Sequence, residues 1–290
     1  MRRDARARQL AQLDPVTDRT KIVRTMLELE FPWDMMRSLE LALFRTFAVP
    51  TIGRLLDHTG EFTERAQRRY DDTMLLLYHI WVGRPDGTQS ERGAGAEHLN
   101  AIHGHYRIDN DDFRYTLSTF VVVPIRWLRR FGWRQPSATE VSAWTNVMRD
   151  MGTAMGIADI PDTFDDFAEL MDAYEAEHFA YLPGSERVAR ATLELMVRWY
   201  PRPLRPLLRS TVPALLDEPV LLALGLPRPT PRLRRVAESV VLARAAAVRR
   251  LPARPDSRPF EPKVRSYADE PPVHRIGPER LVGQSPSTTV

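Results

Sequence analysis

Helical periodicity is the feature that most limits what this chain can fold into. Between residues 22 and 248 apolar residues recur three or four positions apart, and no alternation typical of a β-strand is sustained beyond a few residues. Between 65 and 82, for example, one helix face carries Tyr70, Met74, Leu77 and Trp81. The sequence therefore predicts an all-α fold.

Two helix starts are marked by capping signals. Ser137 opens the tetrapeptide SATE, so its hydroxyl and the Glu140 carboxylate can form a capping box. Asp162 or Thr163 precedes acidic residues that suit the positive end of a helix dipole. These signals predict helices that begin near 137 and near 163.

Glycines and prolines indicate where helices end. The stretch 83–95 is rich in glycine and polar residues, which predicts a loop between two helices. Four prolines at 201, 203, 206 and 213 predict short helical pieces. We expect a polar arm at 1–21, one helical domain at 22–250 and a flexible, Pro-rich disordered tail at 251–290.

A last helix is predicted at 232–250, basic on one side and with Val236, Val240 and Leu242 on the other. We expect it to pack on the domain through its apolar side with its arginines in water. Peripheral contact of this basic helix with an anionic membrane is the alternative.

Composition excludes several classes of site and partner. The chain contains no cysteine, which rules out disulfides and thiolate-bound zinc, iron–sulfur clusters or iron. The net charge of +3 is not clustered with aromatic residues, so no nucleic acid partner is expected. The longest apolar run, 117–125, is too short to span a membrane, and no signal peptide is visible, so we expect a cytoplasmic protein.

His103 is the histidine whose setting is unusual. Leu99, Ile102, His103 and Tyr106 have i, i+3, i+4, i+7 spacing, so the imidazole belongs to an otherwise apolar helix face. A buried neutral imidazole needs a hydrogen-bond partner or a metal for its lone pair. On spacing alone, a core histidine with a hydrogen-bond partner explains this position better than a metal ligand does.

Arg69 and Thr73 form a second pattern, four residues apart on one helix face. Alone it indicates an ordinary charged helix surface. Together with an iron-binding His103, the pair could contact the carboxylates of a haem. His98 and His105 are rotated away from His103, and the single Glu175-x-x-His178 motif is explained better by a solvated acidic face than by a di-iron site.

The order Arg69-x-x-x-Thr73 followed by His103 resembles the haem-binding signature of the MpaB/latex-clearing-protein (rubber oxygenase) family. The segments 68–80, 99–133, 151–161 and 191–201 are similar to its MpaB-type branch, and the likeness covers about 22–250. The chain departs from the pattern at Val123, where a glutamate is expected before Pro-Ile-Arg-Trp.

The resemblance implies an all-α shell around haem b, with His103 as the iron ligand and Arg69 and Thr73 in the haem pocket. It implies an oxygenase that uses O2 to oxidise or cleave an apolar, isoprenoid-like substrate. A non-catalytic haem or hydrophobic-ligand binding protein on the same fold is the alternative. No catalytic acid or base is assigned, although Glu175 and Asp71 are candidates, and the oligomeric state stays open.

Overall fold

The computed structural model describes residues 3–83, 89–269 and 271–281, with side chains for 5–83, 93–269 and 271–281. Within these residues the protein is all-α and contains no strand, which confirms the predicted fold class. The helices are α1 (Arg3–Ala11), α2 (Arg19–Thr25), α3 (Pro32–Phe47), α4 (Pro50–Thr59), α5 (Glu61–Glu64), α6 (Ala66–Val82), α7 (Gln89–His103), α8 (Asn110–Phe131), α9 (Ala138–Ala154), α10 (Phe164–His178), α11 (Pro183–Arg198), α12 (Arg205–Thr211), α13 (Glu218–Ala223) and α14 (Pro231–Arg250).

Helix α8 is the central element and packs against α3, α9 and α10. Its apolar run 117–125 is almost entirely buried. Pro124 lies inside the helix and lacks an N–H, so the carbonyl of Phe120 loses its helical hydrogen bond. The indole of Trp144 on α9 donates to that carbonyl at 3.0 Å. The proline is therefore accommodated by a tryptophan from the neighbouring helix.

Both predicted capping signals are confirmed. Ser137 Oγ accepts from the Glu140 amide at 3.2 Å, and the Glu140 carboxylate accepts from the Ser137 amide at 2.8 Å. Thr163, rather than Asp162, caps α10 and forms the same reciprocal pair with Asp166. The proline-rich segment after α11 is broken into short helical pieces, as predicted: 3₁₀ turns at Arg202–Leu204 and Pro213–Leu215, with α12 and α13.

The helix that carries His103 begins earlier and ends sooner than the sequence predicts. The predicted loop at 83–95 is helical from Gln89, while 84–88 lie outside the described residues. The helix ends at His103, and Tyr106 follows in a turn whose amide donates to the His103 carbonyl at 2.9 Å. Tyr106 is therefore not on the same helix, although it still lines the same cavity as His103.

Part of the predicted N-terminal arm packs on the domain. In α1, Leu10 joins the hydrophobic core and Arg6 is only 4% exposed. The Arg6 guanidinium contacts Glu30 at 3.2 Å and Asp256 at 2.6 Å. This buried charge pairing requires partners that are distant in sequence, so composition alone does not reveal it.

The C-terminal tail also differs from the expectation of disorder. Residues 260–269 and 271–281, which we call the strap, have little regular secondary structure but follow the surface of the domain, while residues 270 and 282–290 of the predicted tail lie outside the described residues. The Phe260 amide donates to the Glu28 carbonyl at 3.0 Å, and Ile276 is fully buried against Leu75 and Leu76. Polar composition therefore does not prevent this segment from packing through a few apolar side chains.

Helix α14 is present as predicted, but the face that packs on the domain is not the predicted one. Ala237, Val241 and Ala245 face the domain. The apolar side chains that were expected on the inner face are exposed: Val236 by 56%, Val240 by 64% and Leu242 by 47%. Arg244 explains part of this arrangement, because it is half-buried and pairs with Asp34 at 2.6 Å.

Candidate haem and substrate cavity

A cavity of about 400 Å³ lies among the C-terminal end of α3, helices α4, α6 and α7, the first half of α8 and the end of α9. This volume is within the range of ligand pockets in proteins, roughly 300–1,000 Å³. Most of its wall is apolar, including Phe47, Phe62, Leu77, Phe113, Leu117, Phe120, Met151 and Met155. Polar and charged side chains also reach this apolar space, among them His103, Arg69 and the carboxylates of Glu61, Asp72, Asp109 and Asp112.

His103 lies at the C-terminal end of α7 and lines the cavity, as predicted. Its Nδ1 is buried and has no hydrogen-bond partner, and its ring packs against Phe113 at 5.2 Å between centroids. Burial, with a smaller contribution from the Arg69 cation, lowers the pKa of His103 to about 4. The imidazole is therefore neutral at physiological pH, which is the form that binds a metal.

Arg69 and Thr73 line the same cavity from α6. Thr73 Oγ1 donates to the Arg69 carbonyl at 2.8 Å, and the Arg69 guanidinium donates to Thr73 Oγ1. That guanidinium lies 5.3 Å from the centre of the Phe62 ring. Burial lowers its pKa, and the carboxylates of Asp72 and Glu61 oppose that effect. The structure thus brings all three predicted site residues to one cavity.

Arg69 makes no ion pair within 4 Å among the described side chains, whereas the nearby Arg65 and Arg68 both form ion pairs. Arg68, the preceding residue, contacts Asp72 at 3.3 Å. A buried cation beside an apolar cavity is stabilised by an anionic group of a ligand. The propionates of a haem are such groups, so His103 and Arg69 are the cavity residues whose chemistry fits a haem iron and its carboxylates.

The strap completes the cavity wall with Gly277 and Pro278, which the sequence did not indicate. It is held by α6. Asp71 accepts from the Arg265 amide at 2.9 Å and from the Ser266 amide and hydroxyl at 2.7 Å each. Tyr267 donates to Asp72 at 2.5 Å. The adjacent acids on α6 are the sequence signal for these contacts, but nothing local identifies their partners.

The two acids considered as catalytic candidates do not line the cavity. Asp71 faces the strap. Glu175 is buried rather than part of a solvated acidic face: it pairs with Arg45, whose Nε donates at 2.7 Å, and accepts from Tyr115 at 3.1 Å. Both carboxylates form hydrogen bonds or ion pairs that join separate segments of the fold.

Three other histidines, His98, His105 and His178, do not line the cavity. His98 Nε2 lies 2.7 Å from the Ile276 carbonyl, His105 is exposed, and His178 stacks on Tyr174 with 3.9 Å between ring centres. Val123, the departure from the family pattern, packs against the core and is not among the residues that line the cavity.

The family described as "ER-bound oxygenase mpaB/B'/Rubber oxygenase, catalytic domain" matches residues 23–251. This chain belongs to that family. One mpaB/B' relative is the ER-bound oxygenase mpaB' of Penicillium brevicompactum, 28% identical over 253 residues that cover 81% of this chain and 59% of the relative. ER-bound oxygenase mpaB of the same organism is 34% identical over 143 residues, covering 47% and 36%.

The chain thus spans less than two thirds of the length of these curated mpaB/B' relatives. A solved structure of the latex clearing protein LCP in its closed state superposes with a TM-score of 0.58 at 17% identity, covering 83% of this chain and 69% of that one. This likeness establishes the shared fold. No helix among the described residues has the length and apolarity needed to cross a membrane.

Proposed function

We propose that this protein is a haem b-dependent oxygenase that uses O2 to oxidise or cleave an apolar, isoprenoid-like substrate. The observation that carries the proposal is the neutral His103 imidazole, whose buried Nδ1 has no hydrogen-bond partner and which lines a largely apolar cavity with Arg69. Membership of an oxygenase family supports the reaction class. A location in the cytoplasm stays a prediction.

His103 would hold the haem iron, and Arg69 with Thr73 would bind its propionates. When bound, the haem supplies the oxygen chemistry, and the protein supplies position and access. The neutral state of His103 keeps a ring lone pair available near pH 7. Arg69 would hold the cofactor rather than move protons, because an arginine stays protonated in proteins.

The apolar wall would bind the substrate chain and exclude water from the reacting double bond. Each buried CH2 group contributes about 0.8 kcal/mol, so a short hydrocarbon segment is held without polar contacts. Phe113, Phe120 and Leu117 extend this wall from α8, the most deeply packed helix. We assign no residue of this wall to acid–base catalysis.

The test of the ligand assignment is the visible absorption spectrum of protein expressed with ample haem. We expect a Soret band in the wild type that is lost or shifted in His103→Ala. His105→Ala is the matched control, since His105 is exposed and lies two residues further on. Full haem content with an unchanged spectrum in His103→Ala would refute the assignment.

Oxygen uptake separates the oxygenase from the alternative, a non-catalytic haem or hydrophobic-ligand carrier. With reduced haem protein and squalene as a probe isoprenoid, we expect O2 consumption and oxidised products. A Soret band without O2 consumption across a series of isoprenoid alkenes would favour the carrier. Arg69→Met should weaken haem retention in either case, because the propionates lose their cation.

A further inference from the structure

The outward side of α14 packs against nothing in the described structure and carries an apolar stripe along the helix. Val236 and Val240, which are 56% and 64% exposed, lie one turn apart, and the exposed Ala243 and Ala247 continue their line toward the end of the helix. Leu242, which is 47% exposed, lies on the other flank of this outward side, beyond Arg235 and Ser239. Isolated exposed apolar residues are common, but a continuous series along a 20-residue helix indicates a contact surface.

The neighbouring segment adds to this surface. Helix α12 packs against α14, and the turn before it carries Leu204. Leu204 is 47% exposed, and Leu207 on α12 is 57% exposed. We call these four side chains the apolar patch: Leu204, Leu207, Val236 and Val240.

The segment 198–250, which carries the apolar patch, is rich in arginine, and two of its arginines pair with acids outside it, Arg209 with Glu194 and Arg244 with Asp34. Residues 198–250 contain eleven arginines and three acidic residues, a net charge of +8, whereas the whole chain carries +3 and the remainder therefore −5. On α14, exposed arginines precede and follow the apolar residues, with Arg232 and Arg235 at one end and Arg249 and Arg250 at the other. The single acid of that helix, Glu238, pairs with Arg130 at 2.8 Å.

The geometry points to the apolar patch as a docking surface for an anionic lipid bilayer, with α14 lying along the membrane plane. Apolar side chains flanked by arginines are the pattern by which helices bind the interface between lipid headgroups and acyl chains. Arginines near an anionic leaflet add electrostatic attraction. The exposed patch has no aromatic side chain to stack on bases, which argues against a nucleic acid partner.

This surface is separate from the cavity. None of the residues that line the cavity belongs to α12 or α14, since the cavity lies at the other end of α3 and α8 from the contacts of α14 with Asp34 and Arg130. Docking would therefore bring the whole domain to a membrane without any change in the His103 environment. Failure of the haem proposal and failure of this one are distinguishable.

The test is co-sedimentation of the full chain with vesicles of phosphatidylcholine and phosphatidylserine, and with vesicles of phosphatidylcholine alone. We expect binding to the mixed vesicles that weakens with salt, and little binding to the neutral ones. Val236→Glu/Val240→Glu should reduce vesicle partitioning at least about tenfold, because two apolar contacts are lost and two negative charges face an anionic surface.

Val16→Glu is the matched control, since Val16 is 57% exposed and lies outside the apolar patch. It should bind vesicles like the wild type. The Soret band and melting temperature of all three proteins should be the same, which shows that each variant is folded. Unchanged binding of Val236→Glu/Val240→Glu, or no sedimentation of the wild type with anionic vesicles, would overturn the proposal. So would a wild-type dimer that this double variant dissociates, with no vesicle binding.

Discussion

Replacing Asp71 should release the strap from α6 while the rest of the domain stays folded. Asp71 is 1% exposed, and one of its carboxylate oxygens accepts three hydrogen bonds from the strap, from the Arg265 amide and from the amide and hydroxyl of Ser266. Its other oxygen accepts from Gln67 on the same helix. Asp71→Ala removes all three strap bonds at once.

The expected size follows from these bonds. A hydrogen bond to a charged group contributes about 1.5–3 kcal/mol, so three at the lower end amount to roughly 4–5 kcal/mol. Ser266→Ala removes only the hydroxyl and should cost about 1.5 kcal/mol. Asp71→Asn should lie between the two, because it keeps an acceptor but loses the charge. At 1.4 kcal/mol per factor of ten, strap opening should increase about tenfold for Ser266→Ala and about a thousandfold for Asp71→Ala.

Hydrogen exchange followed by mass spectrometry measures this opening directly in peptides from 260–281. Asp165→Ala is the control, since it removes an exposed carboxylate far from the strap. Circular dichroism separates strap release from global unfolding. Strap exchange in Asp71→Ala that equals the wild type, or that equals Ser266→Ala, would refute the anchoring role of Asp71.

Three further predictions concern stability, each measured by urea unfolding. Burial raises the pKa of Glu40 to about 7, above its ordinary value of 4.5. Between these two pH values the folded protein therefore keeps a proton that the unfolded chain releases, so the free energy of unfolding should fall by up to about 3 kcal/mol from pH 4.5 to pH 7. This fall should be smaller in Glu40→Gln. Trp144→Phe should cost about 2–4 kcal/mol, but less in a Pro124→Ala background, where residue 124 regains an amide that can donate to Phe120. Glu175→Ala should cost about 3–5 kcal/mol, because the largely buried Arg45 then keeps only the exposed Asp217 as a partner and the buried Tyr115 hydroxyl loses its acceptor.

Each of these predictions has a result that would contradict it. Asp172→Asn, on the same helix as Glu175, breaks an exposed pair with Arg126 and should cost less than about 1 kcal/mol; an equal cost for the two variants would show that burial does not matter here. A pH slope that Glu40→Gln leaves unchanged would assign the proton to another group. Strictly additive costs for Trp144→Phe and Pro124→Ala would deny that the indole replaces the missing helical bond.

The sequence predicts features that depend on local spacing. The helix starts at Ser137 and Thr163 follow from capping side chains three residues apart. Arg69 and Thr73 are in contact because they lie four residues, about one helical turn, apart. The side of α7 that carries His103 follows from the same periodicity. These relations are fixed by helix geometry, so they hold whatever the rest of the chain does.

Contacts between distant segments could not be predicted in this way. Ser266 lies 195 residues from Asp71, and neither residue shows locally that it has a partner. The orientation of α14 was predicted wrongly for a different reason. Val236, Val240 and Leu242 suggest the inner face, but the contact with the domain is made by Ala237, Val241 and Ala245, a face on which two of the three residues are alanines.

Helix α1 contacts the segment that follows α14, and this has a consequence for any shortened version of the protein. Arg6 contacts Asp256 and the Arg254 carbonyl while it also pairs with Glu30. The family match spans 23–251, so trimming to those limits deletes both Arg6 and the segment that carries Gly277 and Pro278. Such a fragment would keep His103 and Arg69 but lose Gly277 and Pro278 from the cavity wall. Its ligand selectivity would then be that of a more open cavity than the one in the full chain.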